Sequence, residues 1–406
     1  MDYDTLLSGC CEMGRRLLEY GAEIQRAEDT VHRLLAAYGL EGEVFAIPNC
    51  IWVSAPCPDG STRTVMRRVR PASVDLEGIE RLNDLSRRLC ADPPEDPGAL
   101  LRQCGETAAR LRRYPAALCM LGYFVGAFFF ALFFSGGWAE AAAAGLSGLA
   151  CGACLWLLNR AGANPFLAMG ASAFVLGAAA CVPAALGAPV SVEITIAGAI
   201  MVLVPGLVFT NFMSDLLTGD MVAGLATFAR AVLSAGSIAL GTGTAMALFR
   251  ETLSAQGGTV VQYGPALYCA FAFVACLGFC VPFNAQGVGA LLCGLGGALG
   301  WAAYQAGMAL WSSPFAASLI AAIAVSAYSE WMARRRRCPA TSYLVLAMFP
   351  LVPGLTIYQA MDHGLRGDTA LFLDTFFRTM GIAGCLALGL LVVASALALH
   401  RRWRRR

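Results

Sequence analysis

Between Glu251 and Glu330 the chain runs without one charged side chain. A segment of that length cannot be kept in water, where the surface of a folded unit needs polar cover. It is long enough instead for several crossings of a hydrocarbon layer, each taking about 20 apolar residues. The remaining charges divide the chain in two. Residues 1–113 hold 15 Arg and 18 Asp or Glu, whereas residues 114–406 hold 14 Arg and nine acids. The first part can be solvated and the second cannot. Across all 406 residues 58% are hydrophobic and the net charge is +2, which excludes a purely soluble protein and gives no footprint for nucleic acid.

Every basic residue is Arg, a compositional bias rather than a function. Sixteen cysteines are scattered over both parts, and Cys151 and Cys154 form the one CxxC. That pair sits in an apolar segment with no second pair at ligand spacing, so it reads as two small buried hydrophobes, and no metal or cofactor is expected. With no signal peptide before the polar start, residues 1–113 are expected in the cytoplasm with reduced thiols.

The head, residues 1–113, opens on one apolar stripe at helical spacing: Leu6, Cys10, Met13, Leu17, Tyr20, Ile24, Ala27, Val31, Leu34 and Tyr38. Gly14 and Gly21 are the points where it can be interrupted. "EVFAIP", "CIWVSA" and "TRTVMRRVR" then read as short strands, the last two joined at Asp59-Gly60. "VDLEGIERLNDLSRRL" returns to helical period, and a last helix leads to Arg112-Arg113. A small α+β domain is expected, with the stripe packed on its own sheet. A self-association seam, giving a homo-oligomer, is the second use of the stripe.

From Pro115 on, spans are expected near 115–134, 138–158, 165–186, 193–214, 221–249, 264–281, 285–306, 313–332, 340–361 and 370–399. Ten spans with the head inside bring the C-terminus back to the cytoplasm. Arg112-Arg113, Arg334–Arg337 and the tail "RRWRRR" then fall inside, as the positive-inside rule asks, and Arg250 and Arg366 are exceptions. The fold class is therefore a polytopic α-helical membrane protein of about ten transmembrane helices behind an α+β head. Its expected domains are 1–113, a first membrane module 114–250 and a second, 251–406.

"LVPGL" occurs at 203–207 and again at 351–355. Shifted by 148 residues, 203–241 lies over 351–389 without a gap, and 18 of 39 positions are identical. Apolar composition alone would not align Pro, Gly-Asp and Arg together, so this is an internal repeat. Five expected spans separate the copies, and an odd number inverts the second. Inverted repeats with helices interrupted at matching positions point to the binding site of a secondary transporter. Pro205 and Pro353 free carbonyls one turn earlier, and Gly206 and Gly354 admit a ligand or another backbone. One isolated proline would be read as a simple kink; two, each followed by matched polar residues, are not.

Those residues supply the candidate chemistry. Asn211 and Gln359 are matched amides, and Asp215 lies one turn past Asn211, over His363 in the second copy. Arg230 and Arg378 lie inside the following spans, where an arginine needs a partner or a ligand. Arg378 has Asp374 one turn before it and can be neutralised locally; the matching position before Arg230 is Ala226. Asp220 and Asp368 follow glycine at helix starts, where capping competes with function. A carboxylate in a dry site takes up a proton readily, so Asp215 and Asp220 are the proton-coupling candidates.

With these motifs the sequence resembles the threonine/serine exporter family of bacterial inner-membrane proteins. In the head "GAEIQRAEDTVHRLLAAYGL", "IWVS", "RRV" and "LNDLSRRL" carry the likeness, with Gly21, Glu23, Arg26, Glu28 and Asp29 on the pattern. Pro205, Gly206, Asp215, Gly219 and Asp220 match its first membrane motif. The resemblance implies ten spans, a cytoplasmic N-terminal domain and export of small polar metabolites driven by the proton motive force. Some members split the two modules between polypeptides, and some of those are associated with succinate export.

The leading reading is thus a proton-coupled exporter of threonine or serine, with a dicarboxylate as the alternative substrate. A zwitterion would use Asp215 for its ammonium and Asn211 and Arg230 for its carboxylate; a dicarboxylate would need Arg378 as a second cation. A hydrolase in the head finds little support. No GxSxG or HExxH is present, no catalytic residue stands out, and His32 at i+3 from Asp29 reads as a surface histidine. A regulatory or assembly role for the head is the third class.

Overall fold

A computed structural model describes residues 2–70, 74–203, 208, 212–213, 215–217, 219, 221–249 and 260–404. It divides into two compact units. The first comprises Met1–Arg113, Phe283–Gln286 and Met332–Ser342; the second holds the remainder.

In the first unit α1 (Tyr3–Glu19) starts at Asp2, whose carboxylate accepts from Asp4 N and Thr5 N. Leu6, Cys10, Met13 and Leu17 line its buried face. The stripe does not run on as one helix. Gly21 takes a left-handed conformation, φ 84°, and the pattern resumes in α2 (Ile24–Ala37). Gly14 stays inside α1, where its missing side chain admits Ile51 and Val31. Strands β1 (Glu43–Ile47), β2 (Cys50–Pro56) and β3 (Thr62–Arg68) form an antiparallel meander. Its register sets Phe45 beside Trp52 and Trp52 beside Met66. Ile51, Val53 and Ala55 point to the helices and are buried, so α1 does pack on its own sheet. Helices α3 (Leu76–Ala91) and α4 (Pro97–Ala109) complete the unit.

The body runs through α5 (Ala116–Phe133), α6 (Trp138–Arg160), α7 (Pro165–Ala185), α8 (Val192–Ile200) and α9 (Met221–Leu248). It continues through α10 (Pro265–Cys280), α11 (Val288–Trp311), α12 (Pro314–Arg336), α13 (Thr341–Ala347), α14 (Gly354–Arg366) and α15 (Thr369–Arg404). Among the described residues six of these helices are long and apolar enough to cross a membrane, so the protein is a polytopic helical membrane protein. The stretch 340–361, expected as one span, is two helices: α13 stops at Ala347, and α14 starts behind Pro353. In the earlier stretch α8 ends at Ile200 in a turn over 201–203, and Pro205 and Gly206 lie outside the described residues.

Backbone features recur at a fixed spacing. The starts of α5 and α10, α6 and α11, α7 and α12, α8 and α13, and α9 and α15 each lie 148–150 residues apart. Left-handed residues recur with them: Ser135 and Asn284, Gly162 and Ser312, Gly187 and Arg337, Gly219 and Gly367. Packing recurs too. A Cβ on Gly241 would press on Gly170 O, Phe174 N and Ala173; one on Gly389 would press on Leu319 O, Ile323 N and Ala322.

Candidate functional site

Described residues that follow the two LVPGL segments share one core. Phe212, Ala231 and Ala235 bury against Ile357 and Ala383, with Met213, Phe228, Met361 and Phe376 packed around them. Three of these pairs, Met213/Met361, Phe228/Phe376 and Ala235/Ala383, are 148 residues apart. The contacts are also exchanged. A Cβ on Gly236 would meet Met361 Cε at 3.4 Å, and one on Gly384, its counterpart, would meet Met213 Cε at 3.1 Å. Each half thus offers a methionine to the other half's glycine. Between them Thr242 Oγ1 donates to Tyr358 OH at 3.2 Å, and both side chains are buried.

Pro353 and Gly354 are buried at the second break. Gly354 N closes on Val352 O (2.7 Å) and Ile357 N on Pro353 O (3.1 Å), so α14 opens at the break with its positive end. Leu351 and Val352, just before it, belong to a buried cluster against which Trp301 and Tyr304 also pack. The Trp301 ring stacks on Tyr304 at 4.8 Å and meets Phe133 edge-on at 4.4 Å. The Trp301 indole N–H is buried without a hydrogen-bond partner.

The expected site residues fall as follows. Asp215 is half-buried and accepts from Thr227 Oγ1 at 3.4 Å. Arg230 is half-buried on α9. Gln359 is exposed on α14. Arg378 is exposed and close enough to Tyr304 for its charge to act on the phenol. No ion pair joins it to Asp374 among the described residues, so the local neutralisation expected from the spacing is not seen there. Arg366 is neutralised locally, by Asp362 at 2.8 Å. Asn211 and Asp220, like Pro205 and Gly206, lie outside the described residues. No disulfide joins the described cysteines, and Cys151 is wholly buried.

In the head the family-pattern residues do structural work. Gly21 makes the turn between α1 and α2, and Glu28 accepts from Ala46 N at 2.7 Å, tying α2 to β1. His32 is exposed. Sequence reasoning passed over Trp301, Tyr304, Tyr358, Thr242 and Glu140. The signals were a Trp-x-x-Tyr pair at one helix turn, hydroxyls near a break, and a lone acid inside a span.

A broken helix that opens beside buried polar side chains, within a polytopic bundle, defines the class of membrane carriers. Family matching gives the particular kind. The family model described as "Putative threonine/serine exporter" matches residues 8–249, and that described as "Threonine/Serine exporter, ThrE" matches 268–396. The chain belongs to the threonine/serine exporter family, a family of transporters rather than enzymes. It is 25% identical over 311 residues to a threonine/serine exporter from Corynebacterium glutamicum, an alignment covering 74% of this chain. It spans 63% of the length of that relative. No solved structure matches the chain.

Proposed function

We propose that this protein is a secondary exporter of threonine and serine, driven by the proton motive force across a bacterial inner membrane, with both termini in the cytoplasm. The two modules run through the membrane in opposite directions, and their breaks face one central site. The exchanged methionine–glycine contacts carry this reading, because a two-fold exchange of counterparts is what paired breaks around one site require. The substrate ammonium is bound at Asp215, which also carries the proton. Its carboxylate is bound by the positive end of α14 and by arginine. The paired opening also uses Pro205, Gly206, Asn211, Pro353, Gly354 and Gln359, with Asp220 as the second proton-coupling carboxylate.

One observation favours the dicarboxylate alternative. Arg378 is exposed and makes no ion pair with Asp374 among the described residues, so it is available as a second cation. Reconstitution into proteoliposomes with labelled threonine, serine and succinate, with and without a pH gradient, separates the readings. Gradient-dependent movement of threonine or serine is expected. Succinate movement alone would replace the substrate, and movement indifferent to the gradient would remove the proton coupling.

A further inference from the structure

The first unit contains more than the head. The turn between α10 and α11, residues 283–286, belongs to it, as does the link 332–342 from α12 to α13. The start of α3 holds the turn. Leu76 N donates to Phe283 O at 3.0 Å and Glu77 N to Asn284 O at 3.3 Å, closing two donors that a helix N-terminus leaves open. Gly78 N and Asn284 Nδ2 both donate to Asp75 Oδ1, at 3.0 and 2.8 Å. Asn284 Nδ2 and Gln286 Nε2 both donate to Arg112 O, at 3.1 and 2.6 Å. Asp75 and Asn284 are only 4% and 6% exposed. Further along α3, Glu77 and Glu80 line one cleft with Arg336, Arg337 and Cys338 of the link.

The corresponding places in the first half are closed differently. Ser135, the counterpart of Asn284, takes Val261 N on its carbonyl at 2.8 Å, and Tyr263 OH donates to Gly136 O at 2.8 Å. Val261 precedes α10 as Arg112 precedes α5, so each turn is held by the residues leading into the other half. The carboxylate there is Glu140 on α6, 1% exposed, which accepts Gly137 N and Ser191 N at 3.1 Å each. It ties the turn after α5 to the start of α8. In the second half α11 carries no acid at the matching positions, which are Gly289 and Ala290. The carboxylates at that end, Asp75 and Glu80, come from the head.

From this we infer a function for the head: it is the inner gate of the carrier, its α3 clamping the turn 283–286 to the link 332–342 as Glu140 clamps the matching segments at the outer end. This rests on the inverted arrangement proposed above. Both sets of contacts are formed in this structure. For the inner end to open, α3 must release one of its two segments. A gate of this kind makes the two clamps alternate, whereas two structural ties would be independent.

Amide exchange on the full-length protein in proteoliposomes, read on peptides covering 74–80 and 187–194, tests the alternation. Asn284→Asp sets a second carboxylate against Asp75 and withdraws the donor from Arg112 O. It should speed exchange at Leu76–Gly78 about fivefold, the population shift for one lost hydrogen bond. It should also slow exchange at Ser191, because the outer end then opens less often. Glu140→Gln should do the reverse, and it serves alone if Asn284→Asp does not fold. Faster exchange only at the substituted end, in both variants, would overturn the gate. No substrate enters this assay, so the readings fail separately: alternation without threonine or serine transport removes the substrate, and transport without alternation removes the gate.

Discussion

Among the described residues the two halves of the body start their helices at matching spacings, but the side chains beside the second break differ from their counterparts in the first half. Beside the second break α11 carries Trp301-x-x-Tyr304; at the matching places α6 carries Cys151-x-x-Cys154, with Cys151 fully buried. Turns, glycine contacts and helix starts are kept, while the groups able to hold a ligand are not. Packing between helices tolerates no added atom at a close approach, so glycines and left-handed turns persist. A bound molecule has one orientation, so a site shared by two copies has no need of symmetry in its polar groups. Under the shared-site proposal, the substrate's carboxyl end is expected at the second break.

The largest effect should come from filling the matched close approaches. Gly241→Leu and Gly389→Leu should each cost roughly 3 kcal/mol or more, because backbone atoms of α7 and α12 have nowhere to move. Thermal unfolding in detergent measures this, and one tolerant position out of the two would break the equivalence. Next come the arginines. Arg230→Gln should raise the half-saturation for every substrate about tenfold, the worth of one charge-assisted hydrogen bond. Arg378→Gln should do so for succinate well above its effect on serine, which sharpens the difference between the halves. Transport kinetics in proteoliposomes would show it.

Smaller effects follow at the exchanged contacts. Met213→Ala and Met361→Ala should each lose about 1 kcal/mol, since both side chains are only partly buried, and the two losses should be alike. Unequal losses would argue against a two-fold exchange. The smallest effect concerns Glu80 in the head. Burial holds its carboxyl above the usual carboxylate range, although Arg336 pulls the other way. A raised value means that the folded state favours the protonated form. Its stabilising contribution is full below the usual carboxylate range and fades as pH rises through the raised value. Glu80→Gln should remove that slope, read as the pH dependence of amide exchange along α3.

Much of this was legible in the sequence. Eight of the ten apolar windows from 115 onward each fall on one described helix, 340–361 being split and 193–214 only partly described, and the three strands and the Asp59-Gly60 turn lie where alternation and turn chemistry put them. The repeat was legible only over 203–241 and 351–389. Before those segments, lipid-facing apolar residues exchange freely, so identity fades while the turns at Ser135 and Asn284 keep one conformation. Tyr358, Trp301 and Tyr304 were hidden because an aromatic ring in an apolar span is most simply read as facing lipid. The turn 283–286 was invisible as part of the head, since four residues carry no periodicity. The stripe from Leu6 to Tyr38 named two candidate breaks, and only packing decided that Gly14, closed in by Ile51 and Val31, stays helical while Gly21 turns.

The central claim is that two inverted copies meet around one site. Met221→Cys and Thr369→Cys, introduced singly into a cysteine-free chain, mark equivalent helix starts just after Gly219 and Gly367. Both positions are exposed. A membrane-impermeant thiol reagent applied to intact cells and to inverted vesicles should label position 221 only from the cytoplasmic face and position 369 only from the outer face. Labelling of both from the same face would contradict the inverted arrangement, and with it the shared site.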